Sequence, residues 1–243
     1  DLEEFAREDS PQQPDAFLLR RARQRADDLL AGLGLAEANE PDPQKERVRE
    51  LAANPMLCTL IGLIHHQGRR LPDDRAELYR LCLEAFVYDW EIQKRIRKIE
   101  RASLDKGETL DVLEELAWQL HNHVGSNTLA AADLSARIEK FLIDEKGCEP
   151  PRARERAANQ LALIRDRVGL LIERGHGQYG FAHLQFQEYL AGRALVRRRR
   201  DIPALLQERL WHSRWHEPIL LAAAYRAAHR EDACTAFVEA VRP

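Results

Sequence analysis

The sequence predicts a mainly α-helical chain in which one short β-hairpin runs into a helix, and three observations carry that expectation. Apolar residues recur at helical spacing along most of the chain, as in Leu78, Leu81, Cys82, Ala85 and Phe86 or Leu110, Leu113, Leu116, Ala117 and Leu120. Gly169 to Arg193, GLLIERGHGQYGFAHLQFQEYLAGR, instead alternates with period two up to Phe181 and changes to a helical period at His183. Finally, 44% of the 243 residues are apolar, enough to bury a core. No window approaches the roughly 18 consecutive apolar residues of a membrane span.

Residues 1–14 are polar and expected to be irregular. Ala16 to Leu33 reads as an amphipathic helix ended by Gly32 and Gly34, and EANEPDP over 37–43 as a linker. Asn54 before Pro55 is an N-cap followed by proline at the first helical position, and Met56 to Ile64 continues as a nearly all-apolar helix. Asp73 or Asp74 caps a long successor running to about Ile99. After a break at Lys106-Gly107, a helix is expected over Thr109 to Val124, and a brief extended piece at Thr128-Leu129 follows.

The next helix passes through Leu134, Ile138, Phe141 and Leu142 and ends at Gly147. Pro150-Pro151 opens another, with Ala157, Leu161, Ile164 and Val168 inward. Leu170 and Ile172 alternate with Leu171 and Glu173, Gly175-His176-Gly177 supplies a turn, and Tyr179 and Phe181 resume the alternation. Helix, short strand, helix, helix, hairpin is the order of a winged-helix module, whose third helix and wing touch DNA in a repressor. Short helices at about 203–210, 217–229 and 232–241 follow, with Trp211 and Trp215 expected as core anchors between them. They read as the start of a helical array.

The net charge of −3 conceals an uneven distribution. From Pro151 to Arg200 eleven arginines face four acids, a net charge of +7. Such a block could meet a nucleic-acid backbone, a nucleotide phosphate or another part of a larger protein, or be a solvated face. The four cysteines are scattered without a C-x-x-C pair, so neither a disulfide framework nor a zinc knuckle is indicated, and they are expected to be buried or inert. The acidic N-terminus has no signal-peptide pattern, which makes a cytoplasmic protein the expectation. Asp1 rather than methionine opens the chain, so a longer parent is expected.

No catalytic constellation is present: there is no G-x-x-x-x-G-K-[ST] loop, no H-E-x-x-H and no G-x-S-x-G. His65-His66 and His121/His123 are the nearest to metal pairs, but residues one or two apart on a helix do not face one another. His183 lies where the second wing strand meets a helix, so its imidazole could face an anion at unpaired backbone N–H groups, or simply cap the helix.

LAANPMLCTLIGLIHHQGRRLPDDRAELYRLCLEAF, LEELAWQL and GLLIERGHGQYGFAHLQFQEYLAGRAL together resemble the C-terminal half of NACHT-type signal-transducing NTPases, the STAND class, over roughly residues 46–220. The resemblance implies four segments: an N-terminal helix and linker (1–45), a small helical domain (46–104), a winged-helix domain (105–196) and the start of a C-terminal helical region (197–243). It also implies an upstream P-loop NTPase core, absent from this chain, so that no catalytic residues are expected here although the parent would be an ATPase. Two positions carry over. The proline of the family's N-P-x-L element lies against adenine, which implies that role for Pro55, with Met56 departing from the more usual leucine. The histidine of its F-x-H-x-x-F-Q-E-Y-L-A element approaches the β-phosphate of ADP, which implies that role for His183.

What the resemblance implies functionally is a switch. An ADP-bound closed state would rearrange on exchange for ATP into an open state that forms homo-oligomers and signals, with defence as one setting. ATP or ADP with Mg²⁺ would bind the parent, with no tight binding expected to this chain alone. Downstream sensor repeats and a trigger ligand are further implied partners, while membrane and nucleic acid are not. Two readings from other classes stand beside it, a DNA-binding winged-helix regulator and a helical protein-interaction scaffold.

Overall fold

In a computed structural model of the chain, the structure describes residues 24, 58, 61, 62, 64, 75–96, 106–123, 126–198 and 202–229. Residues 1–74 and 75–243 form two compact units. In the first, Gln24, Cys58, Ile61, Gly62 and Ile64 are helical, with Ile61 and Ile64 buried. Pro55 and the helix expected at 232–241 lie outside the described residues. Of the thiols expected to be buried or inert, Cys82 is buried, Cys58 exposed and Cys148 half-exposed, and burial pushes Cys82 up to about 12.

The second unit begins with α1 (Arg75–Ile96) and α2 (Lys106–Asn122). The expected break at Gly107 is absent, because glycine falls in the first turn of α2, where backbone N–H groups have no intrahelical partner to lose. A two-residue strand, β1 (Leu129–Ala130), leads into α3 (Ala131–Lys146). Gly147 ends α3 in the left-handed region at φ 62°, and its N–H and that of Cys148 bond back to Ile143 and Leu142 carbonyls. α4 (Pro150–Leu163) opens on the proline pair and passes into a five-residue π-helical turn (Ile164–Val168), with Ala157, Leu161, Ile164 and Val168 all buried as the periodicity requires.

Strands β2 (Leu171–Gly175) and β3 (Gln178–Phe181) form the wing, and β1 adds antiparallel to β3, giving the order β1-β3-β2. Gly175 pairs with Gln178, so His176 and Gly177 are the two turn residues, and their φ values of 51° and 72° match a hairpin turn with both central residues left-handed. Ile172 is exposed, contrary to the expected alternation. Leu170 lies before the strand, after a left-handed turn at Gly169, and the Ala182 N–H donates to its carbonyl; the inward strand residue is Leu171, opposite Phe181.

After the wing come α5 (Leu184–Arg198), α6 (Ile202–Arg209), a 3₁₀ turn (Ser213–Trp215) and α7 (His216–His229). The described residues of the second unit therefore form seven α-helices with one small antiparallel sheet. α5 lies at its centre. Tyr79 of α1 packs on Phe186 and Tyr189 at ring distances of 5.7 and 5.6 Å, and Phe86 lies 5.8 Å from Phe186. Trp118, Ala194, Leu195, Leu206, Trp215, Ile219 and Ala222 form one core cluster joining α2, α5, α6 and α7. Trp215 is a core anchor as expected, but Trp211 is 83% exposed, because the helix ends at Arg209 and the i, i+4 spacing no longer brings the two indoles to one face.

Two constraints hold α5 in place. A Cβ on Gly192 would lie 2.4 Å from the Pro218 carbonyl oxygen and 3.2 Å from the Ala222 nitrogen, so α5 and α7 cross at backbone contact. On the other side Glu114 of α2, with a fully buried side chain, pairs with Arg193 at 3.0 Å and with Arg197. Burial pushes the Glu114 carboxyl up while the two guanidiniums oppose it; pairing with Glu114 in turn holds Arg197 above its ordinary range. Gly192→Ala is expected to lower stability by about 1–3 kcal/mol, as overpacking of a full interior does, and an unchanged urea midpoint would refute the close crossing. Glu114→Ala should cost more, about 3–5 kcal/mol, by leaving buried guanidinium charge uncompensated, and calorimetric melting checks the ranking of the two.

Candidate functional site

His183 sits where the sequence places it, between the end of β3 and the first residue of α5. Its carbonyl accepts the Phe186 N–H at 3.2 Å, which closes the first turn of the helix through the backbone. The imidazole is half-buried, and among the described residues none hydrogen-bonds its ring nitrogens. Burial, and next the charge of Arg174, hold it below the usual histidine range, so the neutral ring prevails near neutral pH. Arg174 reaches from β2 to donate from Nη2 to the carbonyls of Phe181 and Ala182, both at 2.8 Å. The base of the wing therefore gathers a neutral imidazole, a fixed guanidinium and the N-terminus of a fifteen-residue helix, a setting that favours an anion.

Tight backbone contact fixes this corner. A Cβ on Gly180 of β3 would meet the Asn127 carbonyl oxygen at 2.6 Å, so glycine is what lets the preceding loop cross the strand. Asn127 Oδ1 in turn accepts from Arg214, which also donates to the Leu120 carbonyl at 2.9 Å. The wing base, the end of α2 and the 3₁₀ turn are thereby tied together.

The histidine pair that raised a metal question resolves differently. His121 is buried, stacks edge-on against Trp215 at 4.6 Å, donates from Nε2 to the Arg214 carbonyl at 2.8 Å and accepts at Nδ1 from Gln187 at 3.3 Å. Both nitrogens are occupied within the core, and burial pushes the ring down to about 4. No group of three potential metal ligands occurs among the described residues.

One polar cluster was not legible in the sequence. Arg75 of α1 pairs with Glu217 of α7 at 3.0 Å, and the half-buried Glu188 of α5 feels both of them together with Arg214. Burial, and then the Glu217 charge, push Glu188 up to about 7. Arg75 and Glu217 are 142 residues apart, so no local pattern could have joined them.

Four of the eleven arginines in the block are paired with acids on α2 and α3 of the same domain. Arg156 pairs with Glu108, Arg193 and Arg197 with Glu114, and Arg154 lies 3.4 Å from Glu139. Arg165 lies over the Tyr179 ring at 4.9 Å. Three acids on α2 and α3, Glu108, Glu114 and Glu139, thus answer part of a charge excess that, in sequence, looked available to a nucleic acid.

The element order and sheet define a winged helix-turn-helix module. Residues 75–195, about half of the chain, match the model of a family described as the winged helix-turn-helix domain C-terminal to NACHT. The chain belongs to that family, and this region is its NACHT-associated winged helix. No curated protein and no solved structure gave a significant match. No helix among the described residues is long and apolar enough to cross a membrane.

His121 and Glu188 make opposite contributions to stability against pH. The folded pKa of His121 lies below its unfolded value, so its contribution is complete above about pH 6.5 and is lost as pH falls toward 4, on the order of 3 kcal/mol in all. That of Glu188 lies above its unfolded value, so the folded state is favoured below about pH 4.5 and loses that advantage as pH rises through 7. Glu188→Gln should therefore gain stability relative to the parent chain near neutrality and lose that gain on acidification. Chemical denaturation across this range checks it, and parallel curves for the two proteins would contradict the assignment.

Proposed function

We propose that the chain is the regulatory, nucleotide-sensing part of a NACHT-type signal-transduction ATPase, in which the winged helix holds an ADP-bound closed state. The observation that carries this reading is His183, half-buried and neutral at the start of α5 in a NACHT-associated winged helix. A neutral imidazole retains one N–H donor, and the α5 N-terminus beside it suits a phosphate oxygen. Pro55 is proposed to supply an apolar contact for adenine. Adenine nucleotide with Mg²⁺ would be held chiefly by an upstream NTPase core, where ATP hydrolysis would also take place, and no catalytic role is assigned to residues of this chain.

The switch follows from differential contact. A ligand shifts an equilibrium between closed and open forms only by as much as its affinity differs between them. A His183 bond made in the ADP state and lost or rearranged in the ATP state would bias the winged helix toward release and homo-oligomerisation. Because α5 packs against α1, α2 and α7, displacement of His183 would be felt by the helices leading toward a downstream sensor region. Of the arginines on which the DNA-binding reading rests, Arg152, Arg154, Arg156, Arg165 and Arg167, Arg156 is engaged by Glu108 and Arg165 by the Tyr179 ring, which weakens that reading.

In the parent protein carrying its NTPase core, His183→Ala is expected to speed ADP release by about ten- to a hundredfold, the value of one phosphate hydrogen bond, and to favour oligomers without the trigger. ADP release followed with a fluorescent nucleotide, together with light scattering, tests this. Release rate and oligomer size both unchanged from the parent would overturn it.

A further inference from the structure

The wing carries a residue whose placement is not explained by building a hairpin. Arg174 lies on β2, one residue before the strand ends, and is exposed. Its guanidinium nevertheless bonds to the end of β3. Nη2 donates to the carbonyl of Phe181, the last residue of β3, and to that of Ala182, the next residue, both at 2.8 Å. Ala182 is also held through its N–H by the Leu170 carbonyl at 2.8 Å. The residue before His183 is thus held by an acceptor just before β2 and a donor within it.

We propose that Arg174 is a positioning residue for His183: it clamps the strand-to-helix turn through two carbonyls and presents a fixed positive charge to the imidazole. The geometric half follows from the two bonds, since carbonyls at a strand end that lose their donor let the turn re-aim the next side chain. The electrostatic half follows from placement, because a guanidinium stays charged at any physiological pH and disfavours a second cation beside it. Together they keep His183 neutral and aimed, with one ring N–H to give. The choice of His183 as the residue worth positioning rests on the nucleotide reading above. Glu173, the neighbouring acid, does not neutralise this corner: it accepts the Gly177 N–H at 2.9 Å and the Tyr179 hydroxyl at 3.2 Å, on the hairpin turn.

The test separates charge from shape. Arg174→Gln removes the charge and keeps a donor for one carbonyl, while Arg174→Lys keeps the charge on a less directional donor. The His183 titration is read by nuclear magnetic resonance of the chain with ¹³Cε1-labelled histidine, the signal being identified by its loss in His183→Gln, and thermal melting checks that each variant folds. The expected result is a rise of about three- to tenfold in the proton affinity of His183 in Arg174→Gln, and none in Arg174→Lys. Equal midpoints in the parent, Arg174→Gln and Arg174→Lys would overturn the proposal, since an arginine that merely supports the turn would give that result.

ADP release from the parent protein separates this from the nucleotide reading. If Arg174→Gln moves the midpoint but His183→Ala leaves release unchanged, the positioning role stands and the nucleotide reading falls. If His183→Ala speeds release and neither Arg174 variant moves the midpoint, Arg174 is the part that fails.

Discussion

The described domain depends on one helix being buried on nearly every side. α5 has an unbroken run of buried residues from Tyr189 to Leu195, with Phe186 and Gln187 before it. A helix in that position cannot keep a polar stripe for water, so each polar side chain must find a partner inside. Gln187 meets His121, and Arg193 meets Glu114. Where side chains would not fit at all, Gly192 lets α7 approach to backbone contact. Buried pairs of this kind add little net stability, because desolvating the charges costs nearly as much as their attraction returns. They do select one rotation and one height for the helix, since any other would leave charge buried and unpaired.

That selection gives the wing its purpose in this protein. β2 and β3 are too short to contribute much core, yet Arg174, Gly180 and the Leu170 carbonyl all act on the few residues where the sheet enters α5. His183 stands at the end of the most constrained helix in the domain, so its position is tied to α1, α2 and α7. A proposed phosphate contact there would be coupled to the packing of the whole domain without any long mobile lever.

The charge pattern has a related logic. Four of the arginines between Pro151 and Arg200 face carboxylates on α2 and α3, drawn there by folding. Read along the chain they belong to a basic patch, whereas in space these four are ties within the domain. The polar cluster of Arg75, Glu188 and Glu217 joins three helices in the same manner and leaves Glu188 with a carboxyl that titrates near neutrality.

Local physics was enough to read much of this from the sequence. The proline pair that opens α4, Gly147 after α3, the His176-Gly177 turn and the change of period at His183 are all effects of a few neighbouring residues on their own backbone. The order of elements, and with it the winged helix and the place of His183, followed from those signals. Errors arose where a residue's surroundings depend on distant chain. Ile172 and Trp211 have apolar side chains in apparently regular patterns but stand exposed, and periodicity cannot report how much of a side chain its neighbours cover. His121 became a core residue only because Arg214 and Gln187 arrive from elsewhere. Hairpin register places Arg174 at the bulge opposite the start of β3, not its exit, so its side-chain bonds to Phe181 and Ala182 could not be counted from the register. What the sequence by itself determined is therefore the kind and order of elements, because capping, turn and periodic preferences act within a few residues. Only the tertiary structure decided which charges meet and which histidine, His121, is taken into the core, because those outcomes depend on contacts between residues scores of positions apart.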